Sequence, residues 1–191
     1  MDVTSPIRSV VPSVDAGVYE VLAGTTAPLS MRAVARQAGA SVGAVQAVCR
    51  RLIAAGLVAE VPGGVVLNRD HIAAGPIVAL TRLRGALVER MRSWVDDLDV
   101  TPLLVGLFGS TARGDGDVSS DIDVVVVWEC EGQPIGGEFA AAVGRWTGNN
   151  IHVLEITRAD VGRLHSASES LLTTINEDLV VVSGDRQAVT V

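Results

Sequence analysis

Two aspartates one residue apart, with a Gly-Ser turn upstream, are the residues of this chain whose types and spacing could do chemistry. The turn is Gly109-Ser110, and Asp121 and Asp123 open the next apolar run. Side chains at positions i and i+2 of a strand project from the same face, roughly 7 Å apart along it. Paired carboxylates beside a turn that could hold phosphate are what Mg²⁺-dependent phosphoryl or nucleotidyl transfer requires.

Each of these residue types has a chemical reason to be there. Gly109 would let the backbone approach the phosphates of a nucleotide closely, and the amide and hydroxyl of Ser110 could donate hydrogen bonds to them. Asp121 and Asp123 would hold one or two Mg²⁺ ions that bridge the triphosphate. Arg113 in the spacer could stabilise charge on the phosphates, and a surface salt bridge is an equal alternative.

Strands and helices alternate around this pattern. The sequence predicts strands over 103–108, 121–128, 151–156 and 179–182, a turn and short helix over 109–116, and helices over about 137–147, 158–164 and 168–177. Alternation within so short a stretch predicts a compact α/β or α+β unit.

The Gly-Ser turn, its spacer and the segment Ser120-Asp121-Ile122-Asp123-Val124 resemble the nucleotidyltransferase fold of the DNA polymerase β superfamily, and more narrowly the minimal nucleotidyltransferases. The resemblance implies that ATP or another NTP gives a nucleoside monophosphate to an acceptor hydroxyl, with Mg²⁺ as cofactor. It also implies a third acid on a neighbouring strand that helps to bind the metal and can activate the acceptor. Glu155 stands where that acid is expected, so the predicted catalytic and metal-binding set is Asp121, Asp123 and Glu155.

The orientation of Glu155 decides how strong this prediction is. A Glu155 that points away would leave the site with two acids and would weaken the case for transfer. Alternation along the strand puts His152 on the face opposite Glu155, where we expect it to pack in the core.

The first part of the chain predicts three helices and a hairpin. Helices are expected over 14–22, over 31–37 and from Ser41 to just before Gly56, and the turn Pro62-Gly63-Gly64 joins two β-prone runs, 57–61 and 65–68. This order and the text of residues 29–58 resemble the winged helix-turn-helix domains of bacterial regulators. Residues 146–155 and 171–184 resemble actinobacterial proteins that join a winged helix to a nucleotidyltransferase domain.

The winged-helix resemblance implies a DNA interface on the third helix. Six residues would contribute to it: Arg32, Arg36, Ser41, Gln46, Arg50 and Arg51. Gln46 and Arg50 could contact bases, while the other arginines could neutralise phosphates. Small residues share the outward face, so a structural or dimerising role is the alternative.

Charge and length fit a division into two modules. Residues 1–92 hold ten arginines against six acids, a net charge of +4, whereas residues 93–191 hold five arginines against sixteen acids, a net charge of −11. The expected architecture is α+β in two domains: a winged helix-turn-helix over 1–70, a long linker helix over 71–98, and a nucleotidyltransferase fold with a mixed sheet and flanking helices over 99–191. The linker helix could pair across a homodimer.

The remaining features predict a cytoplasmic protein without a membrane partner. No apolar run reaches the roughly 18 residues that a membrane span requires, and the N-terminal residues have neither a basic start nor a hydrophobic signal core. Two distant cysteines, Cys49 and Cys130, give no disulfide framework and no metal-ligand spacing.

Two functions remain open from the sequence. The first is a nucleotidyltransferase. Few residues after Glu155 are left to build a site for an acceptor, which favours a protein or RNA acceptor or an acceptor site shared across a dimer. The second is a DNA-binding transcriptional regulator or antitoxin-like protein whose nucleotidyltransferase domain senses a nucleotide without turning it over.

Overall fold

The computed structural model of the chain describes residues 1–11, 13–117, 119–131, 134–166 and 170–190. The chain divides into two compact units, one formed by Ser5–Arg84 and the other by Met1–Thr4 together with Gly85–Val191. Among the described residues, no helix combines the length and the apolar character needed to cross a membrane.

The unit Ser5–Arg84 consists of helices and one hairpin. Its elements are α1 (Pro6–Val10), α2 (Val14–Ala23), α3 (Met31–Ala38), α4 (Val42–Ala54), β1 (Val58–Val61), β2 (Gly64–Leu67) and α5 (Ala74–Thr81). The three helices and two strands that the sequence predicts here are present, and α1 is an addition to them. Apolar residues on the inner faces of α2, α3, α4, α5 and the hairpin form one core, since an apolar stripe must be buried for short helices to be stable.

Serine caps define where α3 and α4 begin. The hydroxyl of Ser30 accepts a hydrogen bond from the amide of Ala33, and that of Ser41 accepts one from the amide of Ala44, each at 3.2 Å. These side chains satisfy amides that have no partner within the helix. The predicted capping role of Ser41 is therefore confirmed.

The hairpin depends on glycine at its turn. β1 and β2 pair antiparallel from Val58↔Leu67 to Val61↔Gly64. Gly64 has a φ of +144°, and a Cβ at this position would lie 2.1 Å from the carbonyl oxygen of Leu29. Only glycine is compatible with this contact, which adjoins the bridge between Leu29 and Val65.

The predicted continuous helix over 71–98 is wrong. The structure has two helices there, α5 and α6 (Leu83–Asp96), separated at Arg82, whose φ of −107° and ψ of +7° lie outside the helical region. Ala74 of α5 is buried in the core of the first unit, whereas Leu87, Met91 and Val95 of α6 are buried in the second. Hydrophobic periodicity persists across both helices because each has its own core to cover.

The second unit is built on a four-stranded mixed sheet. Its further elements are β3 (Leu104–Phe108), α7 (Gly109–Arg113), β4 (Ile122–Trp128), α8 (Gly136–Thr147), β5 (Ile151–Thr157), α9 (Arg158–Ser166), α10 (Ser170–Asp178), β6 (Val180–Gly184) and a 3₁₀ turn (Arg186–Val189). The strand order is β5-β4-β3-β6. β4 and β5 are parallel, and β3 is antiparallel to both of its neighbours, so the predicted mixed sheet is confirmed. The predicted start of the last helix, Ser168, lies outside the described residues.

Each face of this sheet has its own apolar core. On one face, Val124, Val126 and Trp128 of β4 pack in a cluster with residues of α6 and α8. On the other face, Val125 and Val127 pack in a cluster with residues of α9 and α10. β4 is therefore buried on both sides, and its sequence is a nearly continuous apolar run in which Asp123 is the exception.

Candidate active site

Asp121 and Asp123 lie together at the edge of the sheet where β4 begins. Asp123 is paired with Phe108, the last residue of β3, so the carboxylate lies beside the end of that strand. Both side chains are partly exposed, at 37% for Asp121 and 30% for Asp123. The prediction that the two carboxylates project together next to the Gly-Ser turn agrees with this arrangement.

The turn at Gly109 is shaped to fit against Asp123. Gly109 has a φ of +69°, and a Cβ there would lie 2.8 Å from the Oδ2 atom of Asp123. Glycine is thus required twice, by the backbone conformation and by the close approach of the carboxylate. Ser110 follows at half-buried exposure, and the hydroxyl of Thr111 donates a hydrogen bond to the carbonyl of Asp121, which ties the turn to β4.

Glu155 is not part of this site, which corrects the prediction that it is the third catalytic and metal-binding acid. In the parallel pairing of β4 and β5, Glu155 is the partner of Val126 and therefore lies on the opposite face from Asp123. Its carboxylate accepts hydrogen bonds from the indole of Trp128 at 3.0 Å and from the amides of Ile135 and Gly136 at 3.2 and 2.7 Å. Glu155 thus anchors the start of α8 to the sheet.

His152 occupies the place beside Asp123, and the expectation that it packs in the core is wrong. The register pairs Asp123 with His152 directly. The Nδ1 atom of His152 lies 3.6 Å from Oδ1 of Asp123, and its Nε2 atom lies 3.7 Å from Oδ2 of Asp121. The ring is 68% exposed, because β5 is an edge strand and the core of that face begins further along it.

Arg113 is held by carboxylates rather than left open for phosphate. Its guanidinium contacts Asp115 at 3.0 Å and Asp178 at 2.5 Å. These hydrogen bonds, first to Asp115 and then to Asp178, raise the pKa of Arg113. Of the two interpretations of Arg113, the salt bridge is the one that the structure contains.

Burial raises the pKa of the Asp123 carboxyl above its ordinary value, the charge of Asp121 raises it further, and His152 opposes both effects. A carboxylate that is partly removed from water beside a second one is destabilised in its charged form. A divalent cation would relieve that cost, since it supplies the positive charge that the site lacks.

The donors present fit a Mg²⁺ ion that arrives with a nucleotide. Across the described residues, no three His, Cys, Asp or Glu side chains are grouped so that they could hold a metal ion by themselves. Mg²⁺ is commonly bound by one or two carboxylates, substrate phosphates and water rather than by a complete protein cage. Asp121 and Asp123 supply such a pair.

A comparison with protein families agrees with the fold of this part of the chain. Residues 88–172 match the family model of the nucleotidyltransferase domain. The matched stretch contains β3, the turn, β4 and β5, and hence every residue of the site described above. No curated protein is similar enough to this chain to count as a relative.

The solved structures that are similar to part of this chain are distant. A crystal structure of a toxin-antitoxin with AMP-PNP is 21% identical, with a TM-score of 0.38, over 53% of this chain and 74% of that one. A crystal structure of the toxin-antitoxin MntA-HepT is 19% identical, with a TM-score of 0.38, over 55% of this chain and 76% of that one. At this level of similarity, neither structure adds an argument about function.

The residues predicted to contact DNA lie in the first unit. Arg32, Arg36, Ser41, Gln46, Arg50 and Arg51 are all exposed. The guanidinium of Arg51 forms an ion pair with Asp15 of α2, and the Ser41 hydroxyl caps α4. Two of the six therefore already have partners within the unit.

The contribution of His152 was missed from the sequence, although a signal for it exists. Ile151-His152 opens β5 as Ile122-Asp123 opens β4. If the two strands are assumed to begin side by side, His152 becomes the neighbour of Asp123. The family resemblance implies a third acid, and for that reason Glu155 was predicted to occupy this position instead of His152.

The role of Glu155 gives a first prediction. Glu155→Ala should lower the free energy of unfolding by about 2 kcal/mol, because it leaves two backbone amides and an indole without their charged acceptor. Its affinity for a Mg²⁺-nucleotide should stay within twofold of wild type. Chemical denaturation and nucleotide titration measure the two quantities, with the exposed Glu138→Ala as the matched control. A loss of nucleotide affinity without a change in the free energy of unfolding would show that Glu155 takes part in nucleotide binding after all.

The raised pKa of Asp123 gives a second prediction. Because the pKa of Asp123 is raised in the folded protein, this carboxyl stabilises the fold at pH values below the ordinary pKa of an aspartate. That contribution to the free energy of unfolding is lost as the pH rises through the raised pKa. Asp123→Asn should therefore melt at a higher temperature than wild type at pH 7, and the difference should shrink on acidification. Thermal melts across this range test it, with Glu177→Gln as an exposed control. A lower melting temperature for Asp123→Asn at pH 7 would contradict the assignment.

Proposed function

We propose that the chain is a Mg²⁺-dependent nucleotidyltransferase that takes ATP or another NTP, releases pyrophosphate and places a nucleoside monophosphate on an acceptor hydroxyl. The observation that supports this most directly is the pair of carboxylates, Asp121 and Asp123, held against the turn at Gly109. The match of residues 88–172 to the nucleotidyltransferase domain agrees with it.

The proposed roles follow from the positions of the side chains. Asp121 and Asp123 would bind the cation that accompanies the triphosphate, and the cation would align the α-phosphorus for in-line attack. The turn at Gly109 and the amide and hydroxyl of Ser110 would face the terminal phosphates. Arg113 would contribute only after leaving Asp115 and Asp178, so we assign it a secondary part.

The acceptor is proposed to be a macromolecule, a protein or an RNA. In the described part of the chain after β5, α9, α10, β6 and the 3₁₀ turn each have residues that pack in the core of one face of the sheet, so these residues are not available to line an acceptor site. A large acceptor needs less enclosure, because it brings its own surface to the exposed edge where Asp121, Asp123 and His152 lie.

The decisive experiment follows label from α-³²P-ATP, with Mg²⁺, the pure protein and an extract of its host. Wild type should transfer label to a protein or RNA band, and nuclease sensitivity identifies which. Asp121→Ala and Asp123→Ala should each abolish transfer of the label, because neither carboxylate alone can hold the Mg²⁺-triphosphate. Both variants should still unfold in a cooperative thermal transition, which shows that they remain folded.

Glu177→Ala, which removes an exposed carboxylate of α10, serves as the matched control and should label at the wild-type rate. Labelling that persists in both aspartate variants would overturn the proposed reaction.

The second candidate function is a DNA-binding regulator or antitoxin-like protein that senses a nucleotide without turning it over. The observation that favours it is the departure of Glu155 from the site, which leaves two carboxylates and an imidazole there. In the labelling experiment this function predicts ATP binding that depends on Asp123 but no transfer to any acceptor.

DNA binding by the first unit is proposed for either function. Three helices followed by a hairpin, in the order of a winged helix-turn-helix, and exposed arginines on α3 and α4 support it. In this arrangement α4 would enter the major groove and the β1–β2 turn would approach the backbone. A homodimer formed through α5 and α6 would then set the distance between the two copies of α4.

Arg50→Ala tests the proposed interface. Loss of this arginine should weaken binding to a mixed pool of double-stranded fragments of host DNA by about tenfold at low salt, because a base or phosphate contact is worth on the order of 1–3 kcal/mol. Fluorescence anisotropy measures the affinity, and Arg145→Ala, an exposed arginine of α8, controls for net charge. Equal affinity of Arg50→Ala and wild type would remove Arg50 from the interface.

A further inference from the structure

His152 is an exposed side chain of the candidate active site to which no role has yet been assigned. Its ring lies beside both of them, within 3.7 Å of Asp121 and 3.6 Å of Asp123. It is the second residue of β5, an edge strand, and its side chain is 68% exposed. A solvent-exposed imidazole beside two candidate cation ligands is open to a molecule that approaches from solution.

The proposed reaction leaves one chemical task without a residue. An acceptor hydroxyl must lose its proton as its oxygen attacks phosphorus. Asp121 and Asp123 cannot readily take that proton while their oxygens bind a cation, and Glu155 is turned to the other face, where three N–H groups occupy its carboxylate. His152 is the proton acceptor that the strand register places next to them.

We propose that His152 is the general base of the transfer reaction, receiving the proton of the acceptor hydroxyl in the place where a carboxylate was expected. This inference rests on the proposed function. Histidine is the side chain most often used for such a step, and its neutral ring nitrogen can accept a proton without serving as a ligand of Mg²⁺, which prefers oxygen.

The step balances as a single displacement. The acceptor O–H bond breaks and its proton passes to a ring nitrogen of His152. The acceptor oxygen forms a bond to the α-phosphorus, and the bond from that phosphorus to the oxygen bridging to the β-phosphorus breaks. Pyrophosphate leaves with that electron pair, and the imidazolium returns its proton to solvent.

The geometry of His152 is compatible with this assignment. Its two ring nitrogens face carboxylate oxygens at 3.6 Å and 3.7 Å. Rotation about the side-chain bonds can direct one nitrogen toward an incoming hydroxyl, and no core packing opposes it because the ring is 68% exposed.

The test compares His152→Ala, His152→Gln and His152→Asp with wild type, using α-³²P-ATP, Mg²⁺ and the band that wild type labels in host extract. His152→Ala and His152→Gln should bind Mg²⁺-ATP with affinity within threefold of wild type but transfer label about 100-fold more slowly or worse, the usual size of a general-base contribution. Added imidazole should restore part of the rate to His152→Ala. His165→Ala, an exposed histidine of α9, is the matched control and should be unaffected.

Each other outcome overturns the inference in a distinct way. Transfer by His152→Ala at the wild-type rate would show that no base is needed there. A slow His152→Ala that imidazole does not restore, with a His152→Asp that is faster than wild type, would show that the position calls for a metal-binding carboxylate. A wild type that binds ATP but labels nothing contradicts the proposed function and this inference together, whereas the first two outcomes leave the proposed function intact.

Discussion

The parallel pairing of β4 with β5 is the constraint on which the composition of the candidate active site depends. One register sets which side chain of β5 stands next to Asp123, and it selects His152. Because side chains alternate between faces, the same register sends Glu155 to the other side of the sheet. A shift of one residue would exchange the two faces, bringing apolar residues of β5 to the site and polar ones into the core. The apolar clusters on both faces therefore fix the composition of the site.

Much of the second unit could be predicted because its strands are short apolar runs bounded by turns. That Asp121 and Asp123 project together followed from their spacing, and the structure agrees. Gly109 was predicted for its approach to phosphate, whereas the structure requires glycine there for its φ of +69° and its closeness to Asp123. Glu155 and His152 could not be placed in this way, because alternation gives only relative faces and the register between two strands depends on packing across the whole sheet. The break at Arg82 was also hidden, since periodicity continues on both sides of it.

The site also illustrates a conflict between stability and function. Asp123 is partly withdrawn from water and lies beside another carboxylate, an arrangement that favours its protonated form. A residue chosen for folding alone would be neutral there. Charged residues that lower the stability of the folded protein are expected in a site where a charged ligand, once bound, offsets their unfavourable electrostatic energy. Glu155 shows the opposite case, a carboxylate whose hydrogen bonds with Trp128 and two amides make it structural.

The first four residues belong to the second unit although the whole first unit, Ser5–Arg84, follows them in the sequence. Val3 is 4% exposed and contributes to the core that Leu87 and Met91 help to form, and the N-terminal amine donates hydrogen bonds to the carbonyl of Thr147 and the side chain of Asn149. The first unit is consequently joined to the second by both of its ends, in the manner of an inserted domain. A fragment that begins at residue 85 would expose apolar surface and leave a helix terminus unsatisfied, so the second unit is a discontinuous piece of this sequence.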